Sequence, residues 1–189
     1  MPDLYLDSKK TALIAIDLQN AIMQINAAPY PVTEVVERNR RIADALRAQG
    51  GVIVWVRVNL KEFLDLPVDQ PRSFDPRQMP EEFSELASSA GFNPGDLLIT
   101  KRHWGAFAGT GLEEQLRIRK IDTVLLTGVS TNAGVESTLR QGTGLGFGFV
   151  VVADACSAQD GEEHRFAVEK IFPRLARVRT SEEVLKALV

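Results

Sequence analysis

The sequence is poor in the residues that form disulfides and bind metals. Its 189 residues include one cysteine, Cys156, and two histidines, His103 and His164. A single cysteine excludes an internal disulfide, and the two histidines form no cluster at the spacing of metal ligands. We therefore expect no disulfide framework, no metal centre and no bound cofactor.

The sequence also lacks a strong charge of either sign and a long apolar run. The net charge is -3, so no basic field would attract nucleic acid. The longest apolar run, around Phe149 to Ala153, is far too short to cross a bilayer, and the opening residues MPDLYLDSKK do not resemble a signal peptide. We expect a cytoplasmic protein without nucleic-acid or membrane partners.

Apolar runs rich in β-branched residues recur along the chain and are typical of strands buried on both faces. The runs are Thr11–Asp17, Val52–Val58, Asp96–Thr100, Asp122–Gly128, Gly148–Asp154 and a weaker one near Ala176. Helical patterns lie between most of them, which favours a mostly parallel sheet with helices on both faces. The sequence predicts a single domain over residues 1–189, with three α/β/α layers and roughly six strands.

The helical segments have recognisable beginnings and ends. An apolar stripe predicts a helix over Thr33–Gln49, which Gly50 and Gly51 terminate. Three further helices are expected to begin at the capping residues Thr110, Asp160 and Ser181.

One segment, Asn59–Pro94, interrupts this alternation. It is rich in proline, aspartate and serine, and its only helical candidate is the short stretch Glu81–Ala87. Insertions of this length are usually functional, so we expect a lid over a site or an interface loop.

Polar residues directly after the predicted strands are the first candidates for function, because ligands bind at the carboxyl ends of parallel strands. Asp17 ends the first run, where its carboxylate either serves a site or caps a loop. Lys101 ends the third run, where it either reaches water or pairs with an acid. If these strands lie near each other, Asp17 and Lys101 can form an ion pair that tunes the pKa of the carboxylate.

The turn after the fourth strand is the third candidate. Gly128 permits a tight turn, and a helix is predicted to begin near Thr131. The unpaired N–H groups at its start would suit an oxyanion or an anionic substrate. The turn offers donors but no nucleophile, and on its own it is better explained as a capped connection.

Three segments together resemble the isochorismatase-like hydrolase family, also called the cysteine hydrolases. They are TALIAIDLQN, KRHWGAFAGTGLEEQLRIRKIDTVLLTG and GVSTNAGVESTLR. Their order and spacing agree with the family over essentially the whole chain, and its YecD-like branch carries a similar KRxWGAFxGT segment and a similar GxSTNxGVEST turn. The resemblance implies a Rossmann-like α/β/α fold and a hydrolase of an unidentified small metabolite.

The resemblance also implies roles for individual residues. The amidases of the family use an Asp–Lys–Cys triad, whose first two places fall on Asp17 and Lys101. The cysteine place falls on Gly134, which excludes a thioester intermediate. In this the chain is similar to the isochorismatases that lack the cysteine and cleave a vinyl ether with the aspartate as general acid. Burial would raise the pKa of Asp17 for that role, whereas Lys101 would lower it.

Other features are assigned less directly. The resemblance implies a cis peptide bond between Val129 and Ser130. The candidate substrate contacts are Gln19, Trp104, Phe107, Ser130 and Thr131. His103 could line the pocket with Trp104 and Phe107, although aromatic residues near a strand end usually pack. The candidate donors to a substrate carboxylate are Lys101, Arg102, Arg57 and Lys61. We expect Cys156 to be a buried structural thiol and His164 to lie at the surface.

Two alternatives remain open at this point. A chain that has lost the cysteine could keep the fold as a non-catalytic, small-molecule-binding or scaffold protein, but retention of both Asp17 and Lys101 favours catalysis. The family commonly forms homo-oligomers, so a dimer or higher oligomer is also implied. The segment Asn59–Pro94 could contribute to its interface.

Overall fold

The computed structural model describes residues 4–189. Its strands are β1 (Thr11–Ile16), β2 (Val52–Val58), β3 (Leu97–Lys101), β4 (Thr123–Val129), β5 (Gly148–Ser157) and β6 (Arg177–Arg179). All neighbouring strands are parallel, and their order in the sheet is β3-β2-β1-β4-β5-β6. The predicted six-stranded parallel sheet is therefore confirmed.

The helices follow the strands in the predicted alternation. They are α1 (Val32–Ala48), α2 (Leu112–Ile118), α3 (Glu136–Gly144), α4 (Gly161–Phe166) and α5 (Ser181–Ala187). A π-helical turn over Thr131–Val135 leads directly into α3, so a helical segment does begin at the position predicted for it. Within residues 4–189, no helix has both the length and the apolar character needed to cross a membrane.

Apolar residues fill both faces of the sheet. Neighbouring residues of a strand point to opposite faces, and both Leu13 and Ile14 of β1 are completely buried. Leu13 belongs to the apolar cluster that includes Leu46 of α1, whereas Ile14 belongs to the cluster that includes Leu139 of α3. Helices therefore cover both faces, which explains why the strands are continuous apolar runs.

The helix ends agree with the sequence analysis except at α2 and α5. The residue in the capping position of α2 is Gly111 rather than Thr110, although the Thr110 hydroxyl accepts a hydrogen bond from the Leu112 N–H. Helix α1 differs from its predicted bounds by one residue at each end, and Gly50 after it has a φ of +80°, which favours glycine. Asp160 caps α4 as expected. The cap of α5 is Thr180 rather than Ser181, because the Thr180 hydroxyl accepts a hydrogen bond from the Glu183 N–H.

The insertion over residues 59–94 forms four short 3-10 turns: Leu60–Glu62, Pro76–Gln78, Glu81–Ser84 and Ser88–Ala90. The predicted helix at Glu81–Ala87 is limited to one of these turns. The buried amide of Gln19 fixes the insertion to the sheet, since its Nε2 donates to the carbonyls of Val58 and Phe83. The segment thereby passes over the carboxyl ends of the strands.

The strand order creates a crevice beside β1. From β1 the chain continues to β2 and β3 on one side of the sheet, and β4 then returns to the other side of β1. The connections after β1 and β4 therefore diverge, which is the place where open α/β sheets bind ligands.

Candidate functional site

Asp17 lies at the carboxyl end of β1, in the crevice. Its φ of +55° places it in the left-handed region, which is uncommon for residues other than glycine but is tolerated best by aspartate and asparagine. Its backbone N–H donates to the Val56 carbonyl at 2.8 Å, which holds this conformation. Asp17 is only 8% exposed, and within residues 4–189 its buried Oδ1 has no hydrogen-bond partner. One carboxylate oxygen is therefore withdrawn from solvent without a hydrogen bond, which makes the charged form of this group costly.

Lys101 reaches Asp17 from β3, although β2 lies between their strands. Its Nζ is 2.7 Å from Asp17 Oδ2 and also donates to the Trp104 carbonyl at 2.7 Å. The lysine is 2% exposed, so the pair is a buried ion pair rather than a surface contact. Burial raises the pKa of Asp17 and Lys101 lowers it, and burial has the larger effect. The two opposing effects expected from the sequence, burial and the neighbouring lysine, therefore leave the pKa of Asp17 raised.

The turn between β4 and α3 forms the opposite wall of the site. A Cβ atom on Gly128 would lie 2.2 Å from the Ile16 carbonyl oxygen, and the φ of this residue is +114°, so only glycine fits. The Val129–Ser130 peptide bond is cis, as the resemblance implied. The backbone after β4 therefore passes directly against the end of β1.

A buried histidine supports the far side of this turn. The Nδ1 atom of His164 and the Thr131 hydroxyl are 2.8 Å apart. Thr131 is completely buried and His164 is 6% exposed, so the expectation of a surface histidine is wrong. Helix α4 packs against the turn, and His164 is the residue of this helix that is buried there. Burial also lowers the pKa of His164, which favours the neutral imidazole.

Gly134 lies beside the ion pair. A Cβ atom built on it would lie 3.2 Å from Asp17 Oδ2 and 3.3 Å from Lys101 Nζ, and 2.9 Å from Cγ2 of Ile16. Any side chain at this position would therefore project onto the carboxylate and the ammonium group. Sequence reasoning reached this juxtaposition only through the resemblance, because spacing alone does not relate residues on three separate elements of the sheet.

These residues border a cavity of about 440 Å³, a size typical of sites for small molecules. Five residues named from the sequence as site residues line it: Asp17, Lys101, Trp104, Ser130 and Gly134. His103 lines it too, next to Trp104. The insertion contributes residues that sequence reasoning missed, namely Leu60, Phe63, Arg72, Ser73, Phe74 and Pro76. Only the general character of the insertion indicated that it would cover a site.

Three predicted substrate contacts lie outside the cavity lining. Gln19 is completely buried and hydrogen-bonded to the backbone, as described above. Phe107 packs against Phe147, with ring centroids 5.8 Å apart. The hydroxyl of Thr131 faces His164. In each case the side chain that was expected to contact substrate contacts another part of the fold instead.

The other cationic candidates are also directed elsewhere. Arg57 pairs with Glu85 at 2.5 Å, and Lys61 donates to the Arg77 carbonyl at 3.1 Å. Arg102 borders a separate surface depression next to Trp104. Of the four predicted carboxylate donors, only Lys101 lines the cavity.

The single thiol does not line the cavity. Cys156 is completely buried in the apolar cluster of one sheet face, as expected from the sequence, and burial raises its pKa. The thiolate form needed for nucleophilic attack is thereby disfavoured. Among residues 4–189, no group of three or more His, Cys, Asp or Glu side chains is placed to hold a metal ion.

Comparison with known proteins assigns the family. The model of the isochorismatase domain matches residues 11–183. The chain belongs to the isochorismatase family. This family assignment agrees with the fold and with the resemblance of the three sequence segments.

Individual isochorismatase-family proteins are similar over most of their length. The "Uncharacterized isochorismatase family protein YecD" of Escherichia coli O157:H7 is 45% identical over 98% of this chain and 100% of its own length. The "Ureidoacrylate amidohydrolase RutB" of Cronobacter sakazakii is 30% identical over 78% of this chain and 74% of its own. The solved structure of an isochorismatase family protein from Burkholderia thailandensis has a TM-score of 0.92 and 37% identity, covering 98% of both chains.

Proposed function

We propose that this isochorismatase-family chain hydrolyses a small metabolite by acid–base catalysis, without a covalent thiol intermediate. Asp17 would act as the acid/base and Lys101 as its electrostatic partner. The Ser130–Gly134 turn would form the wall against which substrate lies. The observation that carries the proposal is the buried ion pair itself: the Asp17 carboxylate is bound to Lys101 through Oδ2, and both residues line the cavity.

The raised pKa of Asp17 supports a proton-donating role. A carboxyl group donates a proton efficiently when its pKa lies near the working pH, and burial moves Asp17 in that direction. Lys101 keeps the carboxylate form from becoming prohibitively costly once the proton has left. The pair can therefore pass between its two protonation states within one catalytic cycle.

Gly134 supports a reaction that proceeds without a nucleophilic side chain. We infer that Gly134 takes the place of the family cysteine, because its Cβ direction points at both members of the ion pair. The chain's only thiol is buried elsewhere. Water then has to be the attacking group, and it would reach Asp17 from the cavity that both Asp17 and Gly134 line.

Cleavage of a vinyl ether fits these residues. Asp17 would protonate the terminal carbon of the double bond, whose electron pair forms the new C–H bond. Water would add to the resulting oxocarbenium carbon, and the proton it releases would return to Asp17. The hemiketal then breaks into an alcohol and a carbonyl compound, so one water molecule is consumed and Asp17 is regenerated.

The decisive experiment compares Asp17→Asn with the matched control Asp122→Asn. Asp122 directly precedes β4, at the amino ends of the strands. Its Oδ1 accepts a hydrogen bond from the Thr123 hydroxyl, and the amide oxygen of asparagine can accept the same bond. Vinyl ethers, ureido acids and amides would first be screened for turnover by the wild-type protein. We expect Asp17→Asn to lower kcat on the resulting substrate at least 100-fold and Asp122→Asn to leave it unchanged.

Two outcomes would contradict the proposal. Full activity of Asp17→Asn would remove the acid/base role. Ligand binding without any turnover, across a metabolite library assayed by thermal shift and by product formation, would instead favour a binding protein that has kept the fold.

A further inference from the structure

The cavity contains a cation that the proposed chemistry does not use. Arg72, in the insertion, lines the cavity together with Asp17 and Lys101. Its guanidinium carbon lies 4.0 Å from the ring centroid of Phe63 and 4.9 Å from that of Trp104. The two rings are nearly perpendicular, at 81°, and form a corner that holds the guanidinium group by cation–π contacts.

No acidic side chain neutralises this arginine. Within residues 4–189, Arg72 takes part in no ion pair, and its N–H groups find no side-chain or backbone acceptor. Asp65 is near enough to raise the pKa of Arg72, but its carboxylate pairs with Arg77 at 3.7 Å. Partial burial against the two rings has the larger effect and lowers the pKa of Arg72. Arg72 is exposed overall, but its guanidinium group is stacked on two rings and unpaired, so its N–H groups are free to receive an anion.

The charges around the cavity favour an anion at Arg72 alone. Asp17 is the one carboxylate among the lining residues, and Lys101 already binds it at 2.7 Å. His103 adds no charge near neutral pH, because burial and the neighbouring cations Arg72 and Lys101 lower its pKa. While Asp17 is ionised and paired with Lys101, Arg72 is therefore the one unmatched charge among the lining residues.

Trp104 connects this cation to the ion pair. Its carbonyl accepts the hydrogen bond from Lys101, and its ring contacts Arg72. Apolar side chains also line this cavity: Ile22, Leu60, Phe63, Phe74 and Val129. A ligand that spans the cavity would thus place an anionic end at Arg72, an apolar body on these side chains and its reacting end at Asp17.

We propose that Arg72, held in the corner of Phe63 and Trp104, binds the carboxylate of the substrate, which is a small monocarboxylate with an apolar body. The planar guanidinium fork matches a carboxylate with two parallel hydrogen bonds. While Lys101 is matched by the ionised Asp17, one unmatched cation suits a single negative charge, and a phosphate dianion would need more positive charge than the lining then provides. This inference rests on the proposed function where it calls the bound molecule a substrate that reacts at Asp17. The binding of a carboxylate at Arg72 does not depend on that function.

The test uses two probes that differ in charge and in little else, 4-fluorobenzoate and 4-fluorobenzyl alcohol, titrated into the intact protein and followed by 19F NMR. We expect saturable binding of 4-fluorobenzoate, at least 10-fold tighter than that of the alcohol. Arg72→Gln should weaken the binding of 4-fluorobenzoate at least 10-fold and leave that of the alcohol unchanged. Arg72→Lys, which keeps the charge but loses the planar fork, should lie between the two.

Arg102→Gln is the matched control, since Arg102 is an exposed neighbour that borders a different depression. It should bind both probes as the wild type does. The proposal is overturned if 4-fluorobenzoate shows no saturable binding, if both probes bind equally, or if Arg102→Gln and Arg72→Gln have the same effect. Displacement of 4-fluorobenzoate by an equal concentration of inorganic phosphate would overturn the choice of a carboxylate.

The binding experiment is independent of catalysis, because none of its measurements needs turnover. If Asp17→Asn remains active while Arg72→Gln loses the probe, the proposed reaction fails and the binding site stands. The reverse result removes the binding site and leaves the reaction.

Discussion

Replacing Gly134 with alanine tests how closely the site is packed. The new methyl group would lie 2.9 Å from Cγ2 of Ile16, about 0.5 Å closer than an ordinary contact. Ile16 is completely buried and β-branched, so its side chain has little freedom to move away. Overpacking of this kind costs about 1–3 kcal/mol, whereas replacing a helical glycine with alanine gains at most about 1 kcal/mol.

Gly144 provides a matched control within α3. A Cβ atom on this residue would meet no other atom within 4 Å, so Gly144→Ala gains backbone rigidity without a steric cost. We expect Gly144→Ala to stabilise the protein by about 0.5–1 kcal/mol. Gly134→Ala should be neutral or should destabilise it by up to about 2 kcal/mol.

The measurement is the free energy of unfolding from urea denaturation, supported by the melting temperature, which shifts by roughly 2–4 °C per kcal/mol in a chain of this size. The two variants should differ by about 0.5–3 kcal/mol, with Gly144→Ala the more stable. Equal stabilisation by both substitutions would refute the reasoning, because it would show that the space beside Asp17 accepts a side chain freely. On the proposed function, Gly134→Ala should also lower turnover about 10-fold or more.

Three further predictions concern proton transfer, the thiol and the insertion. Because its pKa is raised, Asp17 stays protonated to a higher pH than an exposed aspartate, so the rate should fall as pH rises through that pKa; a rate that only increases with pH would contradict this. Cys156 should resist iodoacetamide in the native protein and react in denaturant, as mass spectrometry would show, and rapid native labelling would disprove its burial. Gln19→Leu leaves the Val58 N–H and the carbonyls of Val58 and Phe83 without their partner and should cost about 2–4 kcal/mol in urea denaturation, with a loss below about 0.5 kcal/mol counting against the role of Gln19.

The layers of the fold were predictable because burial leaves a direct pattern in the sequence. Leu13 and Ile14 both had to be apolar once helices covered both faces of β1, and this requirement produces the continuous apolar runs. The predicted cap of α5 was wrong by one residue. Thr180 and Ser181 both carry hydroxyls, so only their tertiary contacts show which of the two caps the helix. Ser181 is bound to Asp154 of β5, which its own neighbourhood in the sequence does not reveal.

The site was predictable only in part. Asp17 and Lys101 follow strands, and that position identified them before their distance was known. Arg72 follows no strand and belongs to a segment without periodicity, so no pattern distinguished it from the chain's other surface arginines. His164 was misjudged for a related reason, because a histidine in a charged helical stretch looks exposed until the turn against which it packs is located.

The strand order has a consequence for how the site comes into being. Asp17, Lys101 and Gly134 lie far apart along the chain, and they adjoin one another only after β4 has taken its place on the other side of β1. A nascent chain that ends at β3 would contain both members of the ion pair but not the turn that forms the opposite wall. The cavity is thus a property of the completed sheet, and its assembly depends on contacts of long sequence separation, which form slowly during folding.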